Sequence, residues 1–95
     1  MTVVVGVCLA DLFITDSSSL KDRRRVVRSI VEHLRRSYNV SVTELGDERL
    51  WQRTTLAVAC VSNDTKSADQ LLNRVIHYLD NHPQASLLDC QTEVR

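Results

Sequence analysis

The stretch VVVGVCLADLFITDSSSLKDRRRVVRSIVEHLRR, residues 3–36, decides the fold, because its hydrophobic period changes partway along. Residues 3–14 are rich in Val and Leu, and both alternating sets are largely apolar, the pattern of a central strand. Thr15-Asp16-Ser17-Ser18 reads as a loop. Ser19 suits a helix N-cap, with Asp22 three positions on in a capping-box arrangement. Leu20, Val27, Ile30, Val31, Leu34 and Tyr38 then recur at helical spacing and predict a helix to about residue 37.

Downstream, Val40 and Val42 alternate with Ser41 and Thr43 as in a half-buried strand. Gly46-Asp47-Glu48 marks a turn, and Leu50-Trp51-Gln52 leads into a second run from Thr54 to Val61. Ser62-Asn63-Asp64 opens a second helix whose Ala68, Leu71, Leu72, Val75, Ile76 and Leu79 keep one apolar stripe. Asn81-His82-Pro83 ends it, and Leu87 to Val94 reads as a last strand. The order is β-α-β-β-α-β. Two helices with one stripe each need a sheet face to cover, and right-handed crossovers place both on the same side. The predicted fold is an α+β ferredoxin-like sandwich, residues 1–95 forming one domain with a four-stranded antiparallel sheet.

Such a sheet leaves one face without helices. If Cys8, Ala10, Leu12 and Ile14 face the helices, Val5, Val7, Leu9 and Phe13 face outward together with Asp11. An open sheet face carrying Val, Leu and Phe is an expected interface, most simply of a homodimer.

The chain is neutral, with 12 basic and 12 acidic residues, yet segment 17–37 holds seven of the basic side chains and only two of the acids, Asp22 and Glu32. That segment carries +5 and the remainder −5. On a helical wheel Lys21, Arg24, Arg25, Arg28, Arg35 and Arg36 share an arc of roughly 120° beside the apolar stripe, with Glu32 as its single acid. Arg23 falls outside the arc, toward the apolar side. Such an arc is either a solvated face paired with nearby acids or partner subunits, or a surface for phosphates, since clustered Lys and Arg displace counterions from nucleic acid. An anionic membrane fits less well because the core needs the apolar stripe. Five Arg to one Lys favour planar, bidentate recognition of carboxylate or phosphate. If RNA is the ligand, aromatic stacking on the sheet is not the expected mode, because RTTLAVACV, the third strand, carries no aromatic residue.

Other chemistry finds little support in the residues. The N-terminal run lacks a basic flank and a cleavage pattern, contains Asp11, and is too short to span a bilayer, so a cytoplasmic strand is expected rather than a leader. Cys8, Cys60 and Cys90 lie far apart without a C-x-x-C pair and read as core-like residues on strands; no metal site or cofactor is expected. His77 and His82 are five apart and do not stack on one helix face. The loop after the first strand, TDSSS, has no glycines to cradle phosphate, which weakens an acyl-phosphate hydrolase using Arg23, and no small-molecule substrate suggests itself. Trp51-Gln52-Arg53 reads as a core plug with the loop tied down beside it. A non-enzymatic protein is the expectation.

SLKDRRRV, NVSVTELG and LWQRTTLAVACVSND together resemble the uncharacterised bacterial YlxP-like family, in order and spacing over about residues 3–80. The resemblance implies a ferredoxin-like fold in a cytoplasmic bacterial protein. Members are often encoded beside transcription and translation factors, including ribosome-binding factor A, which directs the phosphate reading toward RNA or the ribosome. No activity or catalytic residue comes with it. The family pattern usually has a charged residue where this chain has Leu9 and commonly a His at Phe13, so the outer sheet face here is more apolar. The sequence therefore predicts an RNA- or ribosome-associated module that contacts phosphates through the first helix. Its alternative is a homodimeric interaction module whose basic helix meets acidic partners.

Overall fold

The computed structural model describes residues 2–15, 19–45 and 52–95. Strand β1 (Val4–Ile14), helix α1 (Leu20–Ser37), strands β2 (Ser41–Glu44) and β3 (Arg53–Ser62), helix α2 (Thr65–Asp80) and strand β4 (Ala85–Val94) follow in that order. The strands form one antiparallel sheet in the order β2-β3-β1-β4. This is the ferredoxin-like arrangement, with β1 and β3 central and β2 and β4 at the edges.

Alternation along β1 separates the two faces as its period requires. Val4, Cys8, Ala10, Leu12 and Ile14 are buried under the helices, whereas Val5, Val7, Asp11 and Phe13 are half-buried and Leu9 is 38% exposed. Thr54, Leu56, Val58 and Cys60 supply the buried row of β3. Against these rows α1 lays Val26, Val27, Ile30 and Leu34, and α2 lays Ala68, Leu72, Val75 and Leu79. Gly6 lets α2 approach closely: a Cβ there would sit 3.0 Å from both Cys60 Sγ and Leu72 Cδ1. Leu20, placed in the apolar stripe by spacing, is instead 39% exposed. It opens the helix ahead of Arg23, the first α1 residue that is buried.

Both helices start on side-chain caps. Ser19 accepts a hydrogen bond from the Asp22 N–H at 3.1 Å, and Asp64 accepts from the Ser67 N–H at 2.7 Å and the Ser67 hydroxyl at 2.8 Å. These bonds to an exposed carboxylate hold Asp64 below its ordinary range. The last strand begins at Ala85, two residues before Leu87. Its register on β1 slips between Asp11↔Asp89 and Leu12↔Leu87, leaving Leu88 as the extra residue of a bulge, half exposed.

Cys8 and Cys60 are buried and Cys90 half-buried, so the core-like placement applies to the first two. Burial, and then the nearby Cys90, push the Cys8 thiol up to about 11. The turn at Gly46-Asp47-Glu48, Trp51, and residues 16–18 of the first loop lie outside the described residues. Beside them, the Gln52 carbonyl accepts the Ile14 N–H at 2.7 Å and Arg53 is exposed.

Candidate phosphate-binding face

The 18 residues of α1 set the geometry of the basic face. Its apolar stripe must face the sheet, so the opposite side is held toward solvent. Lys21, Arg24, Arg25, Arg28, Arg35 and Arg36 are all exposed, spread along about 22 Å of helix from Lys21 to Arg36. Lys21, Arg24, Arg25, Arg28 and Arg36 line a shallow groove of about 630 Å³ with Ser29 and Glu32, the only acid among its lining residues. Arg35 and Arg36 lie in the last turn, where their charge complements the helix dipole.

Arg35 and Arg23 have partners on the sheet. Arg35 belongs to the arc by spacing, but its Nη2 donates to the Val42 carbonyl at 2.8 Å. The Leu45 N–H bonds the Thr55 carbonyl, so the odd residues of β2 turn their backbone groups to β3 and Val42 turns its own to the free edge. Arg35 therefore satisfies an edge carbonyl and ties the end of α1 to the sheet. A second groove, of about 490 Å³, runs between this flank of α1 and β2, with Arg24, Arg28, Arg35, Thr43 and Glu44 in its walls.

Arg23 is 3% exposed, as its position on the apolar side of the wheel suggested. Its Nη2 pairs with Oε2 of Glu44, which also accepts from the Thr54 hydroxyl at 2.5 Å. The Nε of Arg23 is buried without a partner. An arginine already occupied by a carboxylate is poorly placed to hold a substrate phosphate, and this pair had no signature in the sequence. Its members are 21 positions apart and meet only once α1 packs on β2.

At the seam of the two helices His33 stacks on Tyr78, with ring centroids 4.1 Å apart and 15° between planes. Tyr38 and His82 meet this pair edge-on. Burial and then His33 lower the His82 imidazole, while burial and then Tyr38 raise the Tyr78 phenol. Among the described residues no three His, Cys, Asp or Glu side chains converge into a group able to hold a metal, and no helix is long and apolar enough to cross a membrane.

On the open face of the sheet, β1 and β3 place Val5 beside Val61, Val7 beside Ala59, Leu9 beside Ala57, Asp11 beside Thr55 and Phe13 beside Arg53. The Thr55 hydroxyl donates to Asp11 Oδ1 at 2.5 Å. The four predicted interface residues thus line one strand, exposed to different degrees, around a polar pair.

Among solved structures, the de novo designed protein Foldit4 has a TM-score of 0.51 and 19% identity, covering 97% of this chain and 93% of that one; the likeness concerns the fold alone. The "Uncharacterized protein YlxP" of Bacillus subtilis (strain 168) is 31% identical over 90 residues, 95% of this chain and 98% of that protein. A family model described as "Protein of unknown function (DUF503)" matches residues 5–92. With nearly the whole chain matched by that model and by a relative of almost the same length, the protein belongs to the DUF503 family.

Proposed function

We propose that this protein is a non-enzymatic binding module that docks on RNA, alone or within a ribosomal particle, through phosphate contacts made by α1. The supporting observation is the groove on the solvent side of that helix, where five cationic side chains surround a single carboxylate. Guanidinium groups present planar donor pairs to phosphate oxygens, and their flexible stems let one rigid helix follow a backbone. Contacts of this kind position a partner without reading its bases, so affinity should vary little with sequence. Arg35 is a weaker contributor than its wheel position implies, since one of its N–H groups is engaged at the β2 edge.

Protein purified at low salt should carry nucleic acid that high salt strips off. Reversal of Arg25, Arg28 and Arg36 to Glu should abolish this carriage, while Asp69→Lys with Asp80→Lys on α2 should leave it intact. Carriage by the arginine-reversed protein, still folded, would transfer the basic face to the alternative role of meeting an acidic protein partner.

A further inference from the structure

The open sheet face holds a second inference, independent of what α1 binds. We infer that this face is covered by a second copy of the chain, with β1 of one protomer lying on β3 of its partner about a two-fold axis that runs along the strands. Size supports a copy of the chain as occupant. Four strands about 4.8 Å apart and a longest strand of 11 residues give a face of about 500 to 600 Å². Two such faces bury about 1,000 to 1,200 Å², the lower bound of specific interfaces.

Complementarity chooses the axis. The central rows of the face differ in bulk: β1 presents Val7 and Leu9, while the β3 residues beside them are Ala59 and Ala57. An axis between β1 and β3 sets the large row of each protomer on the small row of the other, so Leu9 enters the space over the partner's Ala57 and Val7 that over the partner's Ala59. The same operation brings Phe13 onto the partner's Arg53, a cation–π arrangement, and Asp11 onto the partner's Thr55. It also places the acidic β4 rim, Asp89 and Glu93, over the partner's β2 rather than over other acids.

The competing axes do worse. An axis over β1 sets Leu9 on Leu9 and Asp11 on Asp11. An axis over β3 sets alanines on alanines and leaves a gap. One running across the strands through the Leu9 row sets Glu93 against Asp89, since both lie on β4 on either side of Gln91. Like charges facing each other in a partly desolvated seam are costly. The two-fold axis along the strands also leaves both copies of α1 on the outside, so the dimer would present two basic faces in opposite directions.

The test combines sedimentation with site-specific crosslinking, both in a Cys90→Ser background so that the half-buried native thiol does not interfere. The parent protein should sediment as a dimer at tens of micromolar, and Leu9→Arg should sediment as a monomer with an unchanged circular dichroism spectrum. L9C and A57C proteins, mixed and treated with a mild thiol oxidant, should form a disulfide dimer containing one chain of each. Neither alone should crosslink appreciably. A monomeric parent protein would overturn the inference, and so would rapid self-crosslinking of L9C, which would put β1 on β1. Because none of these readouts involves RNA, the outcome is separate from that for the basic face.

Discussion

Removing the carboxylate of Glu44 isolates Arg23, the one charged side chain buried among the described residues. Arg23 is 3% exposed and Glu44 32%, so the pair is buried on one side and open on the other. Breaking a buried pair by deleting one partner costs about 3 to 5 kcal/mol, because the remaining charge stays desolvated. Partial exposure of Glu44 lets water reach the gap, which reduces the expected cost of Glu44→Ala to about 2 to 3 kcal/mol. The Thr54 hydroxyl, which donates to the same oxygen, loses its acceptor in that variant. Glu44→Gln keeps an oxygen for Thr54 and should recover part of the loss. The double replacement Arg23→Met with Glu44→Leu should recover most of it, since an apolar pair of similar bulk needs no compensation. Urea unfolding at neutral pH, with unchanged m-values, measures all three. A Glu44→Ala protein within about 0.5 kcal/mol of the parent, the range of ordinary surface changes, would refute the reasoning and place Arg23 in water.

Gly6→Ala should destabilise by about 1 to 2 kcal/mol, because overpacking here presses on Cys60 and Leu72; a neutral result in urea would mean α2 shifts freely. In thiol labelling followed by mass spectrometry, Cys90 should react first, with buried Cys8 and Cys60 reacting only on unfolding; faster modification of Cys8 than Cys90 would contradict the placement. His82 is held below the ordinary imidazole value of 6.5, so the unfolded chain takes up its proton first. Its contribution to stability is therefore present above 6.5 and lost as pH falls through the lower folded value. Denaturant titrations across that window should show a decline that His82→Asn removes, and an identical decline in the variant would assign it to other groups.

Much of the fold was legible because periodicity is local. The two alternating rows of β1 and the apolar stripes of α1 and α2 each reflect a single element's contact with a single layer. The last strand was misjudged at its start for a related reason. Leu87 and Leu88 stand side by side across a bulge, so the alternation that marks a strand breaks there and does not carry back to Ala85 and Ser86. Arc membership of the six basic residues was likewise a property of α1 alone, and all six are exposed. What they bond was not legible. Arg35 reaches Val42 and Arg23 reaches Glu44 only because α1 lies over an edge strand, a relation set by tertiary packing rather than by any spacing within the helix.

The salt dependence of RNA binding tests the central claim most directly. Fluorescence anisotropy with a labelled single strand, between about 50 and 200 mM salt, reads the number of phosphate contacts from the slope, about 0.7 for each. Five contacts from the groove residues predict a slope near −3.5 and a loss of affinity of about 130-fold across that range. With Arg25, Arg28 and Arg36 changed to Glu, the slope should flatten to about −1.4 and the loss to about 7-fold, similarly for unrelated sequences. A folded triple variant with the parent's slope and affinity would contradict the account and remove RNA from the basic face of α1.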